Sequence, residues 1–458
     1  MGEIAARQAD ADAFGKVETH GIEAIRADER HGRPRELAFL WGGAFVNYAS
    51  LFTASLLTTY YGLGVWDGLA ATAIGTTAAA VILGLLSNTG PRSGLPQIVF
   101  TRRIFGVRGS YLGAGLTLFL AVGWFAVDCV IAAQAGAQLF GGGSRWMTFG
   151  LVLLIAATSV AVAVYGHQTI KVLETYGAVT FAVLSAALFL FLAPSFDWTH
   201  GPTVGGPDYA GAFVLGLMTC FALVASWYPF ASDYSRYLPA SSSTRAVTFW
   251  PLAGVTIPML LLGLFGLLLP TIDAPLASNQ GVLAVISAHA PGWVAIPFFV
   301  FIVVGEIWAN YLDVYTAGLV TLAMGIRLQR WQTALGCGLL GTALAAYAVL
   351  ISDFHVAYED FLILTYLWAP AWAAVVLLSF FVFEGKSRPG LALAAWLAGT
   401  ATSLLFVNYA NLFGNVFAGT RFFNDGLTSA LHGADLSGVI SVGVAAIVYW
   451  TGRRFSNA

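Results

Sequence analysis

Charged residues are scarce in this sequence. Asp, Glu, Lys and Arg together make up 10% of the 458 residues, whereas an average soluble domain contains roughly 25%. Hydrophobic residues account for 58% of the chain, and the mean hydropathy is +0.78. The net charge of −2 excludes a strongly basic surface for nucleic acid. The composition therefore predicts an integral membrane protein that lies in a lipid bilayer.

Several motifs that would indicate other functions are missing. Cys129, Cys220 and Cys337 lie in apolar segments without metal-site spacing, so we interpret them as buried apolar side chains. The seven histidines fall at segment ends or in loops, which argues against a membrane-embedded enzyme and predicts no cofactor. A Walker-type glycine-rich loop for an ATP-driven pump is absent, and so is the repeated ring of residues that a channel uses.

Twelve apolar stretches are long enough to cross a bilayer, which takes about 20 residues. We expect no secretory signal, because the first stretch follows a polar segment of residues 1–36 and is too long for one. That segment is predicted to be a flexible cytoplasmic tail. The predicted spans are residues 37–60, 66–89, 110–140, 147–167, 170–194, 211–236, 246–270, 291–326, 332–352, 357–383, 389–415 and 436–452.

The basic residues predict the orientation. With the N-terminus inside, all of the 21 lysines and arginines except Arg145 and Arg421 fall in cytoplasmic segments. This asymmetry is the positive-inside rule. We therefore predict a multi-pass protein of the cell membrane with both termini cytoplasmic and short exterior loops at 195–210, 271–290 and 416–435.

Four polar residues interrupt the predicted spans. Asp128 lies in the third span, and Glu306, Asn310 and Asp313 step by four and three along one face of the eighth. A carboxylate at the bilayer centre costs at least ~2.5–3.5 kcal/mol, so it normally faces a bundle interior or a water-filled path. Trp124 lies one turn before Asp128 on the same face. The pattern predicts a buried site that binds a polar ring.

Two predicted spans look discontinuous, the first and the sixth. The interrupting residues are Gly42, Gly43, Asn47, Tyr48 and Ser50 in the first span, and Ser226, Trp227 and Pro229 in the sixth. Interrupted helices at matching positions in two halves point to an inverted-repeat transporter and its binding site. Asn47 is therefore a candidate substrate-binding residue. The alternative is a proline kink and a glycine-rich packing seam, which membrane helices also use.

The residue types predict how such a site would bind its ligand. Trp124 offers a flat π-face for a planar heterocycle, and Asp128 can accept hydrogen bonds from ring N–H or amino groups. Phe221 or Trp227 would cover the opposite ring face. Asn310, which has donors and acceptors, suits a carbonyl or imine edge. A packing role for Trp124 is the alternative.

Several segments resemble the nucleobase/cation symporter family, which contains the cytosine, purine, hydantoin and allantoin permeases. The matching segments are SGLPQIVFTRRIFGVRGSYLGAG at 93–115, GWFAVD at 123–128, ASDYSRYLP at 231–239, EIWANYLDVYTAGL at 306–319 and the Ala-Pro pair at 369–370. They occur in the family's order and spacing between about residues 36 and 380. Within the family, the chain looks most similar to the purine–cytosine permease branch.

The resemblance implies a LeuT-type all-α fold with discontinuous helices 1 and 6. Residues 37–194 and 211–383 would form a five-plus-five inverted repeat, and residues 389–458 two additional spans with a short tail. The implied function is a symporter that imports a nucleobase or related planar heterocycle by alternating access. Carried over by position, Trp124 and Phe221 would stack on the base. Asp128 occupies the place of a glutamine that binds the ring in hydantoin-type members.

The resemblance leaves two coupling ions open. Phe45 and Tyr48 match residues whose carbonyls meet sodium in sodium-coupled members, and Asn310 would bind the ring or help to hold the ion. However, Ala309 and Asn310 stand where those members carry span-eight hydroxyls, which weakens a sodium site.

Carboxylates favour protons instead, since a desolvated carboxyl group can carry a proton. Glu306 is the first candidate carrier and Asp313 the second. The alternative is a sodium-coupled permease for hydantoin, allantoin or a vitamin-like ring such as pyridoxine or a thiamine precursor.

Two further clusters lie near the predicted span ends. Asp233 and Arg236, one turn apart, are predicted to pair with each other or with the Arg102–Arg103 loop as part of an inner gate. A surface salt bridge of ~0–1 kcal/mol is the alternative. His355 and residues 358–360 are expected to be solvated in an outer loop.

Overall fold

The structure, a computed structural model, describes residues 23–165, 170–326, 328–408 and 430–455, and its elements there are helical. The helices are α1 (Glu36–Phe45), α2 (Tyr48–Thr59), α3 (Val65–Ser87), α4 (Thr89–Ser93), α5 (Gln97–Phe100), α6 (Arg102–Gln138), α7 (Arg145–Tyr165), α8 (Ile170–Leu192), α9 (Pro207–Ala225), α10 (Ala231–Ser235), α11 (Thr244–Leu268), α12 (Ala274–Gln280), α13 (Val282–His289), α14 (Gly292–Ala323), α15 (Arg330–Leu350), α16 (Phe354–Leu377), α17 (Pro389–Ser403) and α18 (Ser437–Phe455).

Each predicted span coincides with one helix or with a pair of helices. Within the described residues, eight helices are long and apolar enough to cross a membrane, and the bent pair α1–α2 makes a ninth candidate. The count of twelve therefore stays a prediction. Helix α17 ends at Ser403, and residues 409–415 of the eleventh predicted span lie outside the described residues.

The first span is broken, as predicted, and Asn47 makes the break. Helix α1 ends at Phe45, α2 begins at Tyr48, and the two are bent by 58°. Asn47 caps α2, because its Oδ1 accepts the Ser50 N–H at 2.9 Å, while its Nδ2 donates to the Ala44 carbonyl at 2.9 Å. One side chain thus satisfies backbone groups of both half-helices, which helix ends otherwise leave unpaired.

The sixth span is interrupted where proline predicted it. Helix α9 ends at Ala225, a 3₁₀ turn follows over Tyr228–Phe230, and α10 begins at Ala231. Proline has no N–H to donate to the preceding turn. Pro229 accordingly lies in the 3₁₀ turn between the two helices.

The long helices form two groups. Helices α1, α2, α3, α9 and α11 pack together as the first group, and α6, α7, α14 and α15 as the second. Helix α16 contacts α9 of the first group, α6 of the second, and α17 and α18. Small residues permit close approach: a methyl carbon built at Gly254 of α11 would lie 2.8 Å from Ala38 Cα of α1.

Charge separates the two ends of the bundle. The end that contains Gly94 and Phe383 also contains both described chain ends, since Ile25 N–H donates to the Gly94 carbonyl and Arg453 lies over the Phe383 ring. We call it the basic end. Its basic residues are Arg26, Arg30, Arg33, Arg35, Arg92, Arg102, Arg103, Arg108, Arg236, Arg245, Lys386, Arg388, Arg453 and Arg454. Arg145 lies at the opposite end.

The part of the N-terminal segment that the structure describes is attached to this end. Ile25 is buried, Arg30 donates to the Pro91 carbonyl at 2.6 Å, and the His31 N–H donates to the Tyr237 carbonyl at 2.7 Å. These contacts differ from the expected untethered tail over residues 25–31. Residues 1–22 of the predicted tail lie outside the described part.

Three expectations about boundaries were wrong. Helix α6 begins at Arg102 rather than at residue 110, and continues through a kink at Gly106, whose φ of 73° suits glycine. The exterior segment 271–290 contains helices α12 and α13. Helix α16 begins at Phe354, so residues 358–360 are buried within it, with 0%, 8% and 7% exposure, rather than solvated in a loop.

Candidate functional site

Three carboxyl groups meet between α6 and α14. Asp128 and Glu306 are both 6% exposed, and Asp313 is half-buried. The Asp128 carboxyl lies within side-chain hydrogen-bonding reach of both Glu306 and Asp313. The sequence spacing predicted that Glu306 and Asp313 share one face of α14. In the structure, that face packs against α6.

We call Asp128, Glu306 and Asp313 the carboxyl trio. The contacts among these three side chains constrain how many of them can be ionised at once. An ionised carboxylate only accepts hydrogen bonds, so a hydrogen bond between two carboxyl groups needs one proton. Two such contacts, Asp128 to Glu306 and Asp128 to Asp313, need two different protons. If both come from α14, Asp128 is an ionised acceptor. Of its about four lone-pair sites, two are then left for other donors.

Asn310 lies deeper in the second group than the sequence predicted. It is fully buried, and its Nδ2 donates to Ser159 Oγ of α7 at 3.1 Å and to Cys129 Sγ of α6 at 3.4 Å. Its Oδ1 has no hydrogen-bond partner among the described residues. Cys129 is the residue that follows Asp128 in α6. Asn310 of α14 therefore links α6, next to Asp128, to Ser159 of α7.

Two rings of α16 contact Trp124. The Phe361 ring lies 5.3 Å from the half-buried Trp124 ring at 89°, and the Tyr358 ring lies 6.3 Å away at 71°. Both are edge-type contacts, a favoured aromatic geometry. Tyr358 also hydrogen-bonds with Thr53 of α2 at 2.7 Å. Sequence reasoning missed Tyr358 and Phe361, although their spacing of three residues was a signal for one helix face.

The first group contributes aromatic side chains around the broken first helix. Trp227 lies 5.7 Å from Trp41 and 6.2 Å from Phe45, measured between ring centroids. The Phe45 carbonyl accepts the Ser50 hydroxyl at 2.7 Å. Tyr48, the first residue of α2, is 2% exposed and lies within electrostatic range of Glu306.

Two predicted ligand residues have other contacts in the structure. The Phe221 ring contacts Tyr228 at 6.4 Å, within the first group, while the rings around Trp124 come from α16. Asn47 uses both of its polar atoms on the backbone at the helix break. Their roles in substrate binding stay predictions.

One of the predicted gate residues, Asp233, lines a small cavity toward the basic end. Its lining includes Thr117 of α6, Phe230 and Asp233 of the sixth span, and Thr316 and Val320 of α14.

Asp233 and Arg236 make different contacts at this end. Asp233 Oδ1 accepts the Gln97 N–H at the start of α5 at 2.7 Å. Arg236 lies over the Tyr237 ring, and Arg102 donates to the Ala323 carbonyl at 2.6 Å. Asp233 thus joins the sixth span to the segment between α3 and α6, and its role as a gate stays a prediction.

Comparison with known proteins places this architecture in a family. Residues 24–389 match the family model described as permease for cytosine/purines, uracil, thiamine, allantoin. The chain is 27% identical over 460 residues to the putative purine-cytosine permease YxlA of Bacillus subtilis, and 95% of each chain is covered. It is 24% identical over 387 residues to the purine-cytosine permease fcyB of Emericella nidulans, covering 80% of this chain and 74% of that protein.

A solved structure shares the fold. Mhp1, a nucleobase-cation-symport-1 family transporter in a closed conformation with bromovinylhydantoin bound, superimposes with a TM-score of 0.72 at 17% identity over 95% of each chain. This similarity confirms the LeuT-type fold class. The resemblance stated from the sequence motifs is also confirmed, and the relatives are permeases rather than enzymes. The chain belongs to the family of permeases for cytosine/purines, uracil, thiamine and allantoin, and it is a multi-pass membrane transporter.

Proposed function

We propose that this transporter is a proton-coupled symporter that imports a planar heterocycle with a donor-rich edge, such as cytosine or an aminopurine. The observation that carries the proposal is the contact of Asp128 with Glu306 and Asp313, one helical turn from Trp124. Trp124 supplies a stacking surface for the ring. Asp128 accepts the hydrogen bonds that define its polar edge.

The trio gives a physical reason for symport. When Glu306 and Asp313 each carry a proton and donate to Asp128, Asp128 is an ionised acceptor with about two lone-pair sites left. Those sites match an amino group beside a ring N–H, the paired donors that guanine presents and that cytosine presents when its ring nitrogen N3 is protonated. Loss of either proton would put a second negative charge beside Asp128 and would disfavour its ionised form. Protons and substrate therefore bind cooperatively, and substrate affinity rises as the pH falls.

The ionised Asp128 also selects the substrate. A neutral pyrimidinedione such as uracil presents carbonyl acceptors on either side of a single N–H, and those carbonyls would face a carboxylate. An amino group beside a ring N–H, as in guanine or in cytosine protonated at N3, presents two donors instead. We therefore expect aminopyrimidines and aminopurines to bind more tightly than uracil.

The two broken helices support alternating access. Half-helices at the middle of a bundle occur where substrates and ions bind in transporters built from inverted repeats. We infer that residues 37–194 and 211–383 form such repeats, and that the basic end lies in the cytoplasm, following the positive-inside rule. The cavity around Asp233 then lies on the cytoplasmic side of the trio, on the path by which substrate leaves. The host membrane is the cell membrane.

Ligand-induced thermal stabilisation of the purified protein tests the proposal. The panel contains cytosine, adenine, hypoxanthine, uracil, hydantoin, allantoin, pyridoxine and a thiamine precursor, each at two pH values, with and without sodium. A ligand that binds the folded state stabilises it by RT ln(1 + [L]/Kd). We expect stabilisation by an aminated ring, larger at lower pH and insensitive to sodium.

Matched variants identify the residues. Asp128→Asn and Trp124→Ala should abolish or strongly weaken the stabilisation. Asp197→Asn and Trp146→Ala, which lie in exposed positions at the opposite end, should leave it unchanged. Sodium-dependent stabilisation by hydantoin, allantoin or pyridoxine would replace the proposal with a sodium-coupled permease. Stabilisation that survives in Asp128→Asn would refute the site.

A further inference from the structure

Two distant segments of the chain meet at the basic end. The Ser387 hydroxyl, in the connection between α16 and α17, donates to the Ile104 carbonyl near the start of α6, 283 positions earlier. Beside this hydrogen bond, a methyl carbon built at Gly106 would lie 3.4 Å from Cβ of Pro389, the first residue of α17. The start of α6 and the connection between α16 and α17 are therefore in contact.

The two segments bring cationic side chains together. We call residues 102–108 and 384–389 the basic junction. Its charged residues are Arg102, Arg103, Arg108, Glu384, Lys386 and Arg388. Five basic residues against one acidic residue give a formal charge of +4, and neither α6 nor α17 has an acidic residue in its first turn. Charges of one sign repel each other at close range, so the junction favours an anion from outside the chain.

Three of these cations have no partner within the described part of the chain. Arg103, Arg108 and Lys386 are exposed, and none of them forms an ion pair or a hydrogen bond with a described residue. Arg92, at the same end of the bundle, instead donates to Thr244 Oγ1 at 3.1 Å. The three side chains of the basic junction therefore keep all of their N–H donors for an external ligand.

Exposed apolar side chains adjoin the same two segments. Val107 and Leu112 of α6 are 54% and 41% exposed, and Val382, just before the second segment, is 52% exposed. In a bilayer, exposed apolar side chains next to cationic ones form a surface at the level of the lipid headgroups. Clusters of Lys and Arg at this level attract anionic lipids, and a guanidinium group can donate two parallel hydrogen bonds to a phosphate. A phospholipid would use both parts of this surface, whereas a soluble anion would use only the charges.

We propose that the basic junction binds an anionic phospholipid of the leaflet at the basic end. The lipid phosphate accepts hydrogen bonds from Arg103, Arg108 and Lys386. The acyl chains lie along the exposed apolar side chains, which include Val107 and Val382. The bound lipid neutralises the repulsion within the junction and holds the start of α6 to the connection between α16 and α17. This inference is independent of the heterocycle that is carried and of the coupling ion.

A lipid titration of the purified full-length protein tests the proposal without any substrate. The protein, in a neutral detergent at low ionic strength, is titrated with phosphatidylglycerol or with phosphatidylcholine of the same acyl chains, and its melting temperature is recorded. A ligand that binds the folded state raises the melting temperature by mass action. We expect a saturable rise with phosphatidylglycerol and a much smaller one with phosphatidylcholine.

Single charge removals assign the binding to the junction. Each basic residue close to an anionic lipid surface contributes roughly fivefold to the affinity. Arg103→Gln, Arg108→Gln and Lys386→Gln should therefore each raise the half-saturating phosphatidylglycerol concentration roughly fivefold. Lys386→Arg keeps the charge and should bind as the wild type does. Arg245→Gln is the matched control, because Arg245 is an exposed cation of the basic end near the start of α11, outside the junction, and its half-saturating concentration should not change.

Three results would overturn the lipid site. Equal stabilisation by the two phospholipids would show that charge does not select the ligand. An equal loss of affinity in Arg245→Gln would show that the basic end as a whole attracts the lipid, rather than this junction. Glycerophosphoglycerol, which is the headgroup without acyl chains, and inorganic phosphate form the third comparison. Neither should stabilise the protein at the concentrations where phosphatidylglycerol does, and stabilisation by either one would replace the lipid with a soluble anion.

Discussion

The approach of α16 to the proposed site depends on Gly123, and replacing it with alanine measures that dependence. A methyl carbon built at Gly123 would lie 2.7 Å from Cδ2 and 2.9 Å from Cζ of the Phe361 ring, and closer still to Cε2 between them. Carbon atoms pack best at ~3.5–4.0 Å, so the ring must move by roughly 1 Å. Phe361 is 7% exposed and contacts Phe119 and Trp124, which limits its freedom to move.

The expected magnitude follows from two opposing terms. Overpacking a buried site costs ~1–3 kcal/mol, while alanine is favoured over glycine in a helix by ~1 kcal/mol. Gly115 lies on the same helix, and a methyl carbon there would meet nothing within 4 Å. Gly115→Ala should therefore stabilise the protein by up to ~1 kcal/mol. Gly123→Ala should be less stable than Gly115→Ala by ~1–3 kcal/mol.

Thermal unfolding of the two purified variants under identical conditions gives this comparison. A double-mutant cycle of Gly123→Ala with Phe361→Leu tests the cause, because residues in contact show coupling energies of ~0.5–3 kcal/mol. We expect the smaller side chain at position 361 to relieve part of the cost of Gly123→Ala. Equal stability of Gly123→Ala and Gly115→Ala, together with additive effects in the cycle, would refute the close packing of α6 on α16.

Three further outcomes are expected. Glu306→Gln keeps a donor toward Asp128 but cannot release a proton. Ligand stabilisation should therefore persist in this variant, while its increase at low pH shrinks and concentrative uptake is lost. Full pH-driven accumulation would contradict the carrier role. Asp233→Asn weakens the hydrogen bond that the Gln97 N–H donates. Hydrogen exchange in a peptide covering residues 94–101 should then rise roughly tenfold, since hydrogen bonds to a charged acceptor are worth ~1.5–3 kcal/mol. Unchanged exchange would show that Asp233 does not hold the sixth span to this loop. The buried Asp435 accepts hydrogen bonds from the Tyr366 hydroxyl at 2.6 Å and from two backbone N–H groups. Asp435→Asn should therefore lower the melting temperature without changing heterocycle binding. A binding defect would show instead that α16 responds to this network.

Local features of the sequence predicted the helices and their interruptions well. Apolar length identified the segments, because every backbone group in a bilayer must be paired within a helix or a barrel. The break in the first span depends on an asparagine that caps a helix, and the break in the sixth on a proline without an N–H. Both effects act over three or four residues. Proline alone is not sufficient for a break, since Pro258, Pro297 and Pro370 lie inside continuous helices.

The site was predicted only in part. Helical spacing placed Trp124 beside Asp128, and Glu306 beside Asn310 and Asp313, because side chains three or four residues apart share a face. Asn310 was assigned to the ligand or the ion, yet its donors are used by Ser159 and Cys129 inside the second group. A residue's position in the sequence shows which face of its helix it lies on. It does not reveal which neighbouring helix packs against that face.

Glu359 shows the same limit. Two adjacent acids near the start of an apolar stretch are typical of a solvated loop, and the sequence was interpreted in that way. The structure instead buries the position at 8% exposure, within α16 and near Tyr61 from the end of α2. Tyr61 lies far away in the chain, so a window around Glu359 contains no trace of it.

The sequence by itself determined the membrane location, the helical class, the family, the two broken spans and the identity of the polar residues, since each depends on composition, on short-range periodicity or on contiguous motifs. Only the tertiary structure decided that Asp128 contacts both Glu306 and Asp313, that α16 rather than Phe221 covers Trp124, and that Glu359 is enclosed. The physical reason is that hydrogen bonds and burial depend on distances between helices. Those distances are set by packing over the whole bundle, including glycine contacts such as Gly123 with Phe361.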